Sequence, residues 1–337
     1  MSKRTSFTFK LSDAQQETLI SLLRGGNYRP KEVPYTRIAV EAEDCNIALY
    51  TSGKCVVQGK GAEDWVTFTL EPLVLGEVVT GYDDLLHPED YRPHMGVDES
   101  GKGDFFGPIV IAAAYVDEAL AAALKKLDVR DSKTIKSDRK AEEMGRAIRD
   151  TLQNRYSLVV IGPRAYNRLY LKMGNVNRML AWGHARAIEN LLDKVPDCPE
   201  ALSDQFGPKH QIERALLQKG KKITLVQRPK AESDPAVAAA SILARAAFLY
   251  EIRKMGQRFD VEIPKGASDR VREVAVDLVR AQGPDVLLDT AKCHFQTLDK
   301  VFQASGHQRS QLGPEGEAIS RAAREKSSSA APKSGAR

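Results

Sequence analysis

Asp98 and Glu99 are the residues from which a chemistry for this chain can be read. They lie in MGVDESGKGDFFGPIVIAAAYV, residues 95–116, where a short apolar strand runs into the turn Gly101-Lys102-Gly103 before a long apolar strand resumes at Ile109. Adjacent carboxylates at a strand end, beside backbone that a ligand can approach closely, suit a hard divalent cation and a phosphate. A solvated acidic hairpin turn would show the same pattern. Two further acids occupy comparable places. Asp204 follows Ala201-Leu202-Ser203 and precedes Gln205-Phe206-Gly207, the carboxyl end of a strand, where α/β sheets gather ligands. Glu232 lies in RPKAESDPAV, residues 228–237, just before an alanine-rich helix. The nearby Asp234 precedes Pro235 and reads as that helix's N-cap, which leaves Glu232 for a metal.

Four carboxylates in one place repel, and at least one would hold a proton unless cations intervene. Two Mg²⁺ ions about 3.5–4 Å apart can activate water on one side of a phosphodiester and stabilise the leaving oxygen on the other. No Ser-His-Asp order, Walker loop or HExxH offers a rival chemistry. The six histidines are dispersed, and His184, His210 and His294 read as packing or surface residues.

The elements that must position these acids fall into two parts. Residues 1–81 read as a small α+β module. A strand over residues 5–10 leads to Ser12, which caps a helix to about Arg24 with Gln15 as capping-box partner, and Gly25-Gly26 ends it. Strands follow over Cys45 to Thr51, Lys54 to Gln58 and Trp65 to Leu70, with Ser52-Gly53 turning the first pair. Residues 82–94, rich in Asp, Glu, Pro and Tyr, read as a linker. Residues 95–304 interleave strands (Met95 to Val97, Ile109 to Val116, Ser157 to Ile161, Glu200 to Ser203, Ile223 to Val226) with helices, the order of an α/β domain. The helices are Ser137 to Gln153, Asn175 to Lys194, Lys209 to Gln218, Pro235 to Phe259 and Ser268 to Ala281. Residues 305–337, poor in large apolar side chains, read as a disordered basic tail.

Composition sets the outer bounds. The chain has 337 residues, 42% hydrophobic and 28% charged, which excludes global disorder and fits about two domains. No apolar run approaches the roughly 18–20 residues of a membrane span, and the N-terminus lacks a signal-peptide core, so a cytoplasmic location is expected. Cys45, Cys55, Cys198 and Cys293 form no CxxC pair, and neither zinc nor a disulfide framework is indicated. Lys plus Arg against Asp plus Glu stand at 9 and 14 in residues 1–90, 35 and 28 in 91–304, and 6 and 3 in 305–337. The basic body is compatible with a polyanionic partner.

Taken together, DESGKGDFFGP (98–108), Asp131-Ser132-Lys133, the strand-end Asp204 and the KAE of Glu232 followed by AVAAASILAR (236–245) resemble the type 2 ribonucleases H. Three features are most similar to the bacterial ribonuclease HIII branch. They are Glu232 where HII-type sequences carry Asp, Gly-Lys-Gly followed by Asp-Phe-Phe-Gly-Pro, and an N-terminal module containing TSGKCVVQGKG (51–61) that is similar to a TATA-binding-protein-like domain. The resemblance covers about residues 5–304.

It implies a ribonuclease-H-like α/β domain behind that module and an endonuclease cutting the RNA strand of RNA/DNA hybrids to 5′-phosphate and 3′-hydroxyl ends. By motif position, Asp98, Glu99, Asp204 and Glu232 become the catalytic carboxylates holding Mg²⁺ or Mn²⁺, with two ions expected. Gly101, Lys102 and Gly103 become the turn sensing the ribose 2′-hydroxyl, a group that separates RNA from DNA. The spacing from Glu232 to ASILAR is slightly shorter than in HII-type sequences, so Asp234 stays open as an alternative fourth acid. Lys133 heads a helix with Lys136, Arg139 and Lys140 that could track phosphates. Tyr50, Thr51, Ser52 and Lys54 are candidate hybrid contacts, although ordinary hairpin chemistry explains them too. Met179, Leu180, Trp182 and Ile188 read as core, and Ser241 as structural. No membrane or obligate protein partner is indicated, and a monomer is expected. The alternatives are HII-like cleavage at single ribonucleotides embedded in DNA, and a nucleic-acid-binding protein without catalysis.

Overall fold

The computed structural model describes residues 5–76, 91–129, 135, 137–204, 210–216, 220–228 and 231–319, with the side chains of His210, Gln211 and Glu232 outside that set. The chain divides into two compact units, residues 1–89 and 90–337. Most of the expected linker, 82–90, lies outside the described residues, and its last member, His94, already belongs to a strand.

In the first unit, α1 (Asp13–Gly25) starts at the expected capping box, the Ser12 side chain accepting from the Gln15 N–H and the Gln15 side chain accepting from the Ser12 N–H. Strands β1 (Ser6–Lys10), β2 (Arg29–Pro30), β3 (Thr36–Glu41), β4 (Asn46–Tyr50) and β5 (Lys54–Gln58) pair antiparallel in the order β1-β5-β4-β3-β2. Alternation places Ile47, Leu49, Cys55 and Val57 in one core with Leu19 and Leu23 of α1. The strand expected over Trp65 to Leu70 is instead helical. α2 (Ala62–Trp65) runs into α3 (Val66–Leu75), which is π-wound. β-Branched Val66, Thr67 and Thr69 favour a strand locally, but Val66, Leu70 and Val74 recur every fourth residue and are buried together.

The second unit is built on a sheet ordered β10-β9-β6-β7-β8. Its strands are β6 (His94–Ser100), β7 (Ile109–Val116), β8 (Tyr156–Ile161), β9 (Glu200–Asp204) and β10 (Thr224–Arg228). β6, β7 and β8 are antiparallel to one another, while β9 and β10 run parallel to β6. The helices are α4 (Glu118–Lys126), α5 (Asp138–Leu152), α6 (Pro163–Met173), α7 (Val176–Leu192), α8 (His210–Ala215), α9 (Pro235–Phe259) and α10 (Asp269–Gln282). α4 and α6 are additions to the elements read from sequence. α9 covers one sheet face with Val110, Ala112 and Ala114, and α7 covers the other with Ile109, Ile111 and Ala113.

Gly96 fixes how α9 lies. A Cβ on Gly96 would stand 2.1 Å from the Val237 nitrogen and 2.2 Å from the Ala236 carbonyl carbon, so only glycine lets β6 touch the first turn of α9. By length and composition alone the 25-residue α9 could cross a membrane, its most apolar 18-residue window having mean hydropathy 1.4, although no unbroken apolar run is that long. It is a core helix, with 67% of that window buried.

The tail also needs correction. Past the helices Val286–Thr290 and Thr297–Ser305, Arg309–Leu312 forms a 3-10 turn and Gly313–Glu317 a short helix. The Arg309 guanidinium donates to the carbonyls of Cys293, Phe295 and Gly316 and to the Asp299 carboxylate, and Leu312 is buried. Residues 305–319 are therefore ordered through one arginine that composition could not flag. Residues 320–337 lie outside the described residues.

Candidate active site at the ends of parallel strands

The register of β6 and β9 brings two of the four acids together. Val97 stands opposite Ser203, so one residue further along Asp98, two residues before the end of β6, lies beside Asp204, the last residue of β9, at the usual strand spacing of about 4.8 Å. Alternation puts both on the face of Gly96 and Leu202, towards α9. Asp204 has Arg228 beside it on β10. The Asp98 Oδ1 accepts the Glu99 N–H at 2.8 Å, and Ser241 of α9 hydrogen-bonds the same carboxylate. Ser241, read from sequence as structural, thus touches the site. Burial, and after it the charge of Glu99, pushes the Asp98 carboxyl up to about 6.

Glu99 projects from the opposite face of β6. Its Oε2 accepts from Nε2 of His184 at 3.0 Å, and Oε1 lies 3.7 Å from the Lys102 ammonium. Burial works to raise the Glu99 pKa, but the hydrogen bonds and charges of His184 and Lys102 outweigh it and hold the carboxyl below its usual range. His184 was read as a packing or surface residue. It is buried in α7, yet it is also the closest partner of a candidate ligand, a contact that a lone histidine in an apolar helix does not announce.

The backbone of Glu232 sits in the 3-10 turn Ala231–Ser233, anchored where buried Ala231 meets Leu202 of β9 and Val237 of α9. Asp234 has a different occupation. Its Oδ1 accepts the N–H groups of Ala236 and Val237 at 2.9 and 3.1 Å, as the expected N-cap, and its Oδ2 accepts from Nε2 of His94 at 2.9 Å. The other His94 nitrogen, Nδ1, faces the Arg92 carbonyl at 2.7 Å. Both ring nitrogens meet acceptors, an arrangement that favours the doubly protonated ring. Burial works against that charge, but Asp234 and the Arg92 carbonyl prevail and raise the His94 pKa.

The glycine turn divides its labour. Gly101 has φ +89°, and a Cβ there would lie 2.4 Å from the Pro108 carbonyl oxygen and 2.9 Å from the Phe248 ring. Gly103 is different, since a Cβ on it would meet nothing within 4 Å. Gly101 is thus required by the fold, while the space beside Gly103 is open to a ligand.

The remaining candidates stand apart. Asp131, Ser132, Lys133 and Lys136 lie outside the described residues, as does the His210 side chain. Arg139 pairs with Glu143 at 2.8 Å, and Lys140 follows the Ser137 cap. In the first unit, Tyr50 is half-buried and Thr51, Ser52 and Lys54 are exposed around the β4–β5 turn. The Lys10 ammonium donates to the Ser52 carbonyl, and Lys10 and Lys54 are cross-strand partners, a local positive pair on a unit with an acidic excess. Cys45, Cys55, Cys198 and Cys293 are free and buried, and His294 packs against Tyr170 at 4.3 Å between ring centroids. Among the described residues no three His, Cys, Asp or Glu side chains converge with metal-holding geometry. Of the four carboxylates expected to meet, Asp98 and Asp204 lie side by side on β6 and β9, Glu99 faces the opposite side of β6, and the Glu232 side chain lies outside the described residues.

Comparison with known proteins agrees with the two-part organisation. A family model described as Ribonuclease HII matches residues 95–298, and one for a domain of unknown function, DUF3378, matches residues 6–71. The chain is 39% identical over 299 residues to Ribonuclease HIII of Chlamydia pneumoniae, covering 88% of this chain and 97% of the relative. It is 37% identical over 306 residues to Ribonuclease HIII of Protochlamydia amoebophila, covering 91% and 100%. Among solved structures it resembles Bst-RNase HIII in complex with Mn²⁺, with TM-score 0.62 and 28% identity, covering 89% of this chain and 99% of that one.

Proposed function

The chain belongs to the ribonuclease HIII family and is a hydrolytic ribonuclease H, and we propose that it cuts the RNA strand of RNA/DNA hybrids at the ends of β6 and β9, leaving 5′-phosphate and 3′-hydroxyl termini. The observation that carries this reading is the adjacency of Asp98, late in β6, and Asp204, at the end of the parallel strand β9, with the Glu232 backbone anchored between β9 and α9.

These residues fit a divalent cation. The donors are carboxylate oxygens, and the about-6 pKa of Asp98 marks a negative charge that burial and Glu99 oppose and that a cation would offset. Asp98, Asp204 and Glu232 would hold Mg²⁺ or Mn²⁺, with Glu99 as the fourth ligand and Lys102 the charge with which a cation at Glu99 would compete. Two bound ions supply charge neutralisation at the scissile phosphate and a more acidic water. The chain's own part is to align. His184 keeps Glu99 ionised, Ser241 orients Asp98, and the open backbone at Gly103 lets the turn reach a ribose 2′-hydroxyl. By motif position Lys133 would contact the phosphates of the hybrid, and the Lys10–Lys54 pair with Tyr50, Thr51 and Ser52 gives the first unit a local patch for a hybrid backbone. Four free thiols fit a reducing, cytoplasmic setting.

The test is cleavage of a labelled RNA/DNA hybrid, a duplex with one embedded ribonucleotide and an all-DNA duplex, each with and without Mg²⁺ and Mn²⁺. Metal-dependent cutting of the uniform hybrid is expected. Asp98→Asn should abolish cutting and leave hybrid binding within a few fold, since it removes a ligand and little surface. Unchanged turnover in that variant, or equal cutting of all-DNA duplex, refutes the assignment.

A further inference from the structure

Residues 104–107, which link the glycine turn to β7, have an unusual partner. Lys292 is fully buried, and its ammonium donates to the carbonyls of Asp104 at 2.8 Å, Phe106 at 3.2 Å and Gly107 at 2.9 Å. Its backbone N–H donates to the remaining carbonyl, that of Phe105, at 2.8 Å. One lysine therefore takes four consecutive carbonyls and uses all three ammonium protons.

The clamp is itself held. Asn167, also buried, donates to the Ala291 carbonyl at 2.9 Å and accepts the Cys293 N–H at 2.9 Å, gripping the chain on both sides of Lys292. The Gly107 N–H donates to the Thr290 carbonyl at 2.9 Å, and the Gly266 N–H donates to the Asp104 carboxylate at 2.6 Å. On the other side, the Asp104 N–H reaches the Gly101 carbonyl at 3.3 Å, and the close approach of Gly101 to the Pro108 carbonyl folds the turn back on the exit of this segment.

Packing alone does not explain a lysine at this position. Burial pushes its pKa down to about 7, so the charge is held against desolvation, and a methionine of similar length would fill the space without that opposition. What methionine cannot do is satisfy three inward-facing carbonyls at once.

We propose that Lys292 is a positioning residue for ribose recognition: by fixing the carbonyls of residues 104–107 it fixes the Gly101–Gly103 turn against the acids of β6. This rests on the reading above, in which that turn meets the ribose.

The test compares the full-length chain with Lys292→Met, Asn167→Ser and Gly103→Ala on uniform hybrid and on a hybrid carrying a single deoxyribonucleotide at the preferred cut site. Each is assayed well below its melting temperature, with the active fraction counted from a single-turnover burst. K292M is expected to lower kcat per active molecule about 100-fold, the effect of a small misplacement at the reacting centre, with KM within a few fold. Its preference for ribose at the cut site should fall with kcat. Lys292 as mere packing would lower the active fraction and the melting temperature, with kcat per active molecule and ribose preference intact, and that result overturns the proposal. N167S, which loosens the clamp and keeps the lysine, should show the same split more weakly, about 10-fold, and decides the matter if K292M does not fold. Wild-type kcat and preference in N167S then overturns it. A G103A variant with wild-type rate and ribose preference would instead sink the underlying reading of the turn, whereas impaired G103A with wild-type N167S and K292M would sink the role of Lys292 alone.

Discussion

Asp234→Asn separates the two carboxylates that compete for the fourth place at the acidic site. Asn caps a helix about as well as Asp, so the bonds from the Ala236 and Val237 N–H groups survive the change. The charge facing His94 does not. The ring would be left buried as an imidazolium without its counter-ion, or would lose a proton and with it the 2.9 Å bond. Removing one partner of a buried pair costs about 3–5 kcal/mol, and the His94 option of neutralising puts the loss near the lower value. For a domain of this size that corresponds to a fall of roughly 6–12 °C in Tm. The pH dependence carries a definite sign. Because the folded His94 pKa is raised, its contribution is complete below the unfolded value near 6.5 and is lost as pH rises through the folded value. The Tm gap between wild type and D234N should therefore be widest at pH 6 and shrink on the alkaline side, as followed by circular dichroism melts. Hybrid cleavage per folded molecule at 25 °C should be unchanged. E232Q should do the reverse, keeping Tm and losing at least about 100-fold in kcat. If D234N abolishes cleavage and leaves Tm untouched, Asp234 is the fourth acid and the assignment of Glu232 is wrong.

Asp98 should make protons and cations competitors. With its carboxyl raised from 3.8 to about 6, the acid limb of the rate at low Mg²⁺ should have a midpoint near pH 6 and move down by up to about one pH unit per tenfold Mg²⁺. In metal-free buffer the same raised value makes ionisation destabilising, so the Tm of wild type relative to Asp98→Asn should fall as pH rises from about 4 to 6. A midpoint indifferent to metal concentration would refute this. The two glycines should part company. G103A, with open space and no left-handed φ, should match or exceed wild-type Tm, in line with the about 0.4–1 kcal/mol gained at compatible sites, yet lose at least about 10-fold in hybrid cleavage. G101A should melt lower because of its φ of +89° and the Pro108 contact. Wild-type cleavage by G103A would show that the turn does not meet the substrate.

What was legible in the sequence was local. The Ser12 box, the Ser52-Gly53 turn and the Asp234-Pro235 helix start are short-range signals, in which one residue satisfies backbone groups two or three positions away. The positions of Asp98 and Asp204 late in their strands were legible because each follows a short apolar run. What was missed depends on distance along the chain. His184 meets Glu99 across 85 positions and Arg309 reaches Cys293 and Phe295 across a helix, and neither leaves a periodic trace. Val66 to Leu75 misled for another reason. Val66, Thr67 and Thr69 favour a strand locally, the helical recurrence of Val66, Leu70 and Val74 extends past the Trp65 to Leu70 run, and the core under α1 decided.

The close pairing of Glu232 and Asp234 along the chain shows why this site needs its structural acid as much as its chemical ones. A metal ligand is useful only if its backbone cannot drift, and Glu232 lies in a 3-10 turn that has little hydrogen bonding of its own. Asp234 ends that turn by capping α9, and through His94 it ties the cap to the first residue of β6, the strand that carries Asp98 four residues later. Gly96, between them on β6, removes the side chain that would keep α9 away. Strand, cap and helix thus meet through one ion pair and one missing Cβ. A change at His94 or Gly96, neither of which could touch a metal, should displace the carboxylates at 98 and 232 relative to each other.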